Sequence, residues 1–136
     1  MNIIDFREQL PYGKRNNKRR KWKKRATSRI DRLICHQTYG NTLEQPNGII
    51  ASARYCIIYR GWPTIPYHYY VATDGLVYQL NSLSDYTWHT KGHNGHGVGL
   101  VVQGKFAHEG NPGLPDPTEA QQETIVGLVP FLLDRL

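Results

Sequence analysis

Tyr67-His68-Tyr69-Tyr70-Val71-Ala72 and Leu76-Val77-Tyr78-Gln79-Leu80, separated by Thr73-Asp74-Gly75, decide the fold. β-Branched and aromatic residues suit a pleated, half-buried surface. Asp-Gly between two such runs marks a hairpin, because glycine accepts the positive φ of the turn. Downstream, Val98 to Gln103 predicts another buried strand. Upstream, Ile30, Leu33, Ile34 and Cys35 form an apolar run ending in His36-Gln37-Thr38, a buried strand whose carboxyl end carries a histidine.

The intervening segments predict helices and turns. Asn41 to Gly48 is turn-rich, and Ile49 to Tyr59 reads as a helix, with Ile49, Ala53, Cys56 and Ile57 near helical spacing and Gly61 as its stop. Pro63 and Pro66 exclude helix immediately afterwards. After the loop from Gly110 to Pro117, Thr118 is the N-cap of a final helix, with Gln121 at the capping-box position. That helix carries Ile125, Leu128, Val129 and Leu132 on one face, and Pro130 predicts a kink. Strand, helix, hairpin, strand, helix gives an α/β fold with a mixed central β-sheet flanked by helices.

Composition narrows the classes. A chain of 136 residues, 39% hydrophobic, suits one domain with a modest core. No apolar stretch approaches the roughly 20 residues that span a bilayer. Met1-Asn2-Ile3-Ile4-Asp5 lacks the basic-then-apolar order of a secretory signal, so a soluble chain made in the cytoplasm is expected. Cys35 and Cys56 are too few for a disulfide scaffold, and two buried thiols are favoured over one disulfide.

The net charge of +6 is local. Nine of the 17 Lys and Arg lie between Lys14 and Arg25, and without them eight basic residues face 11 acidic ones. Such dense like charge resists packing, so residues 1–28 are expected to form a basic arm, solvated over 14–25 and with a helical turn or two between Ile3 and Leu10. The domain proper is expected over 29–136. The arm suits nucleic acid, with Trp22 stacking on a base, or equally an anionic wall polymer, an acidic membrane surface or a partner protein; a functionally quiet arm also fits.

Six histidines, at 36, 68, 89, 93, 96 and 108, are many for this length. His36 sits where open α/β sheets bind ligands, at the carboxyl end of a strand, which is a useful place for a zinc ligand. Trp88-His89-Thr90-Lys91-Gly92-His93-Asn94-Gly95-His96-Gly97 is a glycine-rich loop whose backbone can approach a ligand closely. A metal-binding use of His89, His93 and His96 at that spacing would need a helix, which the glycines oppose. Trp62 and Trp88 fit sugar stacking or packing equally well.

Together, Pro66 to Tyr78, His89-Thr90-Lys91-Gly92-His93-Asn94, and Val98 to Phe106 resemble the central hairpin, loop and strand of the type 2 N-acetylmuramoyl-L-alanine amidases. That fold is shared by phage amidase endolysins and peptidoglycan recognition proteins. Ile34-Cys35-His36-Gln37-Thr38 resembles the family's first strand, and the likeness runs from about Arg29 to Leu136. The resemblance implies His36 as a zinc ligand, Tyr67 as a catalytic tyrosine near the zinc, and His89, Thr90 and Asn94 as substrate-binding residues on the groove wall. It implies Zn2+ as cofactor and hydrolysis of the amide between N-acetylmuramic acid and L-alanine in peptidoglycan, by a phage lysin or a wall-remodelling enzyme.

One departure stands out. The family places a second zinc histidine, and a third ligand, cysteine or aspartate, after the helix that begins here at Thr118. Asp134, Cys35 and Cys56 do not fit those positions. The expectation is therefore a domain incomplete at its C-terminus, with a metal-deficient relative as the alternative. The rival functions are a catalytically inactive peptidoglycan-binding module and, more weakly, a nucleic-acid-binding protein acting through the arm.

Overall fold

A computed structural model describes residues 1–136. Its elements in chain order are β1 (Ile3–Asp5), β2 (Lys14–Arg15), β3 (Lys18–Arg19), β4 (Lys23–Lys24), a 3₁₀ turn (Thr27–Arg29), β5 (Arg32–Gln37), α1 (Asn47–Arg60), β6 (Tyr69–Val71), β7 (Val77–Gln79), β8 (Asp85–Tyr86), β9 (Gly97–Val102) and α2 (Glu119–Leu133). The expected hairpin is β6–β7, paired antiparallel with Tyr70 opposite Tyr78, and Gly75 takes φ 85° in its turn. β9 lies parallel to both β6 and β5, which completes a mixed sheet in the order β1-β7-β6-β9-β5.

Side-chain alternation divides the core between the two faces of this sheet. Tyr70, Ala72, Tyr78, Leu80 and Val101 pack with Ile49 and Ala53 of α1. Tyr69, Val71, Val77, Val98 and Leu100 pack with Leu128 and Leu132 of α2. α1 ends at Gly61 in the left-handed conformation, and α2 opens on the expected capping box, with the Thr118 hydroxyl accepting from Gln121 N–H and Gln121 Oε1 accepting from Thr118 N–H.

A buried amide secures the far side of the sheet. Gln103 is fully buried; its Oε1 accepts from Thr73 N–H and from the Gln45 side chain, and its Nε2 donates to Leu43 O. Gln121 of α2 donates to Gln103 O at 2.8 Å, so one polar network ties the loop before α1 to the hairpin turn and α2.

The amino-terminal segment departs from expectation. Ile3–Asp5 is a strand, parallel to β7 and not helical, because the open edge of β7 offers its backbone groups partners while Phe6 and Leu10 enter the core. Residues 14–25 are folded, not solvated. β2 and β3 form a hairpin, β4 pairs with β8, and Trp22 is only 5% exposed. Its indole N–H donates to Asn81 Oδ1 at 3.1 Å, and its ring meets Trp88 edge-on at 5.1 Å. Arg25 donates to the carbonyls of Leu83, Asn94 and Gly97. Two inward side chains are enough to fasten a strand whose charges point outward, so the segment before Arg29 packs on the domain. Both cysteines are free, but Cys35 is exposed because β5 is an edge strand; Cys56 is buried.

Candidate functional site

The register of the sheet builds the site on its α1 face. Ile34 lies opposite Gly99 and His36 opposite Val101, so Ile34 and His36 share the face that Val101 presents to α1, whereas Cys35, opposite Leu100, points to the other. Beside them β9 carries Gly97 and Gly99, which leave a hollow that His89 fills. A Cβ on Gly99 would stand 2.9 Å from His89 Cγ, and one on Gly97 would stand 3.4 Å from His89 Cε1.

Within this hollow four of the expected residues meet. His36 Nε2 lies 3.2 Å from His89 Nδ1, and the Thr90 hydroxyl lies 3.1 Å from the former and 2.9 Å from the latter. The Tyr67 ring centre is 5.1 Å from that of His36. His89 Nε2 is 3.2 Å from Gly97 O, so that nitrogen carries the proton and Nδ1 presents its lone pair toward His36 and Thr90.

Burial sets the protonation states. It holds the His36 imidazole below its ordinary range and pushes His89 down to about 4, so both are neutral at pH 7. It raises the Tyr67 phenol, which therefore keeps its proton and can donate a hydrogen bond. His68 is a structural histidine. Its Nδ1 accepts from Gly99 N–H, its Nε2 donates to Asp85 O, and burial together with the nearby Arg25 cation pushes it down to about 3.

Tyr67 is placed by the neighbouring amide. Asn81 Nδ2 donates to Ile65 O and to Tyr67 O, while its Oδ1 receives the Trp22 indole, so the folded basic segment supports the backbone that carries the phenol. Asn94, expected on the groove wall as a ligand contact, is buried and gives its side-chain oxygen to Thr90 N–H at 2.8 Å. It positions the loop. His93 and His96 face each other at 3.0 Å on the surface, in a turn rather than a helix.

Next to this cluster runs a groove of about 890 Å³ with Tyr67 in its wall. One side is the loop after β5, with Thr38, Tyr39 and Asn41; the other is α1, with Ser52, Tyr55 and Arg60; Trp62 and Pro66 close the end. The sequence reading missed the α1 wall. Its signal was Tyr55, a large aromatic left 52% exposed on a helix read only for its buried positions.

A catalytic zinc takes three protein ligands and a water. His36 and His89 bring two imidazoles together, but nowhere in residues 1–136 do three His, Cys, Asp or Glu side chains converge on a metal position. Cys35 faces the opposite side of the sheet, and Asp134 caps the end of α2. The side chains present do not build the three-ligand site that the resemblance implies.

A mixed sheet between two helices, with an imidazole pair and a phenol beside a groove, defines an α/β domain with a candidate ligand site. The family model of N-acetylmuramoyl-L-alanine amidase matches residues 26–136, and the chain belongs to that family. Among solved structures it is similar to the endolysine N-acetylmuramoyl-L-alanine amidase LysCS from Clostridium intestinale URNW, at 19% identity over 98% of this chain and 74% of that one, TM-score 0.69. It is also similar to the drosophila peptidoglycan recognition protein SD, at 15% identity, 98% and 75% coverage and TM-score 0.78. A third relative is human PGRP-IBETAC, solved in complex with glycosamyl muramyl pentapeptide, at 16% identity, 98% and 76% coverage and TM-score 0.75. No curated protein sequence matches the chain. These neighbours carry the fold, and no helix of the chain is long and apolar enough to cross a membrane.

Proposed function

We propose that this domain binds the muramyl-peptide junction of peptidoglycan, with the glycan–peptide linkage against Tyr67, His36 and His89 and the peptide along the α1 wall. The observation that carries this reading is the convergence of two neutral imidazoles, the Thr90 hydroxyl and a protonated phenol beside a groove that has Tyr67 in its wall, in a chain of the amidase family. Few and convergent polar groups beside a largely apolar wall are what orient a ligand rich in amides and hydroxyls. In this arrangement the Tyr67 phenol donates to a substrate carbonyl, and His89 Nδ1 and Thr90 accept from an amide or hydroxyl.

Titration of the chain with N-acetylmuramyl pentapeptide, followed by calorimetry, tests it. Binding is expected, and His89→Ala or Tyr67→Phe should weaken it by roughly tenfold, the worth of one or two buried hydrogen bonds. No binding by the wild-type chain at millimolar ligand, or equal binding by both variants, would refute it.

The second reading is hydrolysis: a Zn2+-dependent N-acetylmuramoyl-L-alanine amidase acting on the bacterial wall. It is favoured by His36, a half-buried neutral imidazole at a strand end beside Tyr67, and it requires a third donor beyond those assembled here. Zinc stoichiometry together with release of L-alanine amino groups from peptidoglycan separates the two readings.

A further inference from the structure

The cations of residues 14–25 acquire a defined shape. Lys14 lies opposite Arg19 and Arg15 opposite Lys18, across Asn16 and Asn17 at φ 53° and 61°, the backbone of a tight primed hairpin turn. Opposed residues share a face, so each face of the hairpin carries two cations. Like charges directly opposite each other destabilise a strand pair, so the hairpin is held from its base. Gly13 N–H donates to Pro63 O and Arg20 N–H to Gly13 O, both at 2.8 Å, and the Arg20 guanidinium donates to Gly61 O. Arg19 stacks 3.6 Å above the Tyr12 ring.

Compensation is sparse. Lys24 pairs with Asp85, but no carboxylate lies within 4.0 Å of Lys14, Arg15 or Lys18. Arg19, Lys21 and Lys24 line a hollow of about 430 Å³ with Asp5, Glu8 and Asp85, whereas Lys14, Arg15 and Lys18 stand outside it. The hairpin also has a definite neighbour. Gly61 and Pro63, which hold its base, flank Trp62 at the end of the groove.

We propose that the β2–β3 hairpin is a docking surface for a phosphodiester-linked polyanion of the bacterial wall, held beside the groove that takes the muramyl peptide. The choice of a wall polymer rests on the muramyl-peptide reading above. Nucleic acid is met less well. The one aromatic residue within the cationic run, Trp22, is buried against Trp88 and Asn81 and offers no face to a base.

The test measures the affinity of the chain for poly(glycerol phosphate), and for single-stranded DNA of equal charge, at 50 and 200 mM salt. Four phosphate contacts at about 0.7 counterions each give a logarithmic salt slope near −2.8, or about a 50-fold loss of affinity across that range. Lys14→Gln/Arg15→Gln/Lys18→Gln/Arg19→Gln should abolish polymer binding, and Arg15→Gln/Lys18→Gln should about halve the slope; both keep Trp22 and Arg25, which fasten the segment. Both variants should bind N-acetylmuramyl pentapeptide like the wild type. Polymer binding that survives the double and quadruple replacements, or that ignores salt, overturns the proposal, and tenfold tighter binding of DNA than of polymer overturns it in favour of nucleic acid. Failure of the muramyl-peptide reading shows separately, as a wild-type chain that does not bind the pentapeptide.

Discussion

Replacing Trp22 distinguishes a folded amino-terminal segment from a solvated arm by energy alone. Trp22→Ala removes an indole that is 5% exposed and packed on Trp88, and deletes the N–H that satisfies Asn81 Oδ1. Truncating a buried Trp costs about 3–5 kcal/mol, and a stranded buried acceptor adds about 1–3 kcal/mol, only partly additive with the first. About 4 kcal/mol is therefore the central expectation. With unfolding entropy near 2.1 cal/mol/K per residue over 136 residues, it lowers Tm by about 14 °C. It also lowers the urea midpoint by about 2 M for an m-value near 2 kcal/mol/M. Trp22→Phe keeps most of the ring and loses the donor, so about 1–3 kcal/mol is expected. Urea unfolding at constant m reads both. A loss below about 0.5 kcal/mol for Trp22→Ala, the range of ordinary surface substitutions, would refute the packing described here and with it the support of Tyr67 through Asn81.

Two further outcomes follow from the histidines. His68 is neutral and buried, with its folded pKa at about 3 against 6.5 in the unfolded chain, so between those values the unfolded state binds the extra proton. The stabilisation is complete above pH 6.5 and declines as pH falls toward 3, by at most about 1.4 kcal/mol per pH unit for this group. Urea midpoints at pH 7 and pH 5 check the sign, and a protein more stable at pH 5 contradicts the assignment. Gly99→Ala would put a methyl 2.9 Å from His89 Cγ, on the face of the ring. It should displace the imidazole from His36 and Thr90, weaken N-acetylmuramyl pentapeptide by about tenfold and cost about 1–3 kcal/mol of stability; unchanged calorimetric affinity would show that His89 is not held by this seat.

The fold was legible where one physical cause dominated. Asp74-Gly75 fixes its turn through backbone sterics, Thr118 and Gln121 satisfy orphan N–H groups of their own helix, and Val98 to Val102 has nowhere to go but the interior; all three are local. β1 was illegible because three residues lack a helical or a strand period, and their state is decided by the open edge of β7, some seventy residues away. Trp22 was outvoted by its neighbours. Counting charges along 14–25 treats the segment as a polymer, whereas β4, with both its lysines exposed, is fastened by the flanking Trp22 and Arg25. His36, Tyr67, His89 and Thr90 could be picked out as candidates, but their meeting depends on the β5–β9 register, which no single segment encodes.

What positions the groups beside the groove is polar as well as steric. The hollow over Gly97 and Gly99 seats the His89 ring. Around it, hydrogen bonds from residues that carry no chemistry hold the backbone and the loop that bring these groups together. Gly97 O selects the His89 tautomer, Asn94 holds Thr90, Asn81 grips the Tyr67 carbonyl, and Arg25 ties Gly97 and Asn94 to one guanidinium. Arg25 belongs to the basic run and Asn81 is satisfied by it, so residues 22 to 25 act on the site without touching a ligand. The same segment thus anchors the site through its inward residues, Trp22 and Arg25, and presents its remaining charges outward.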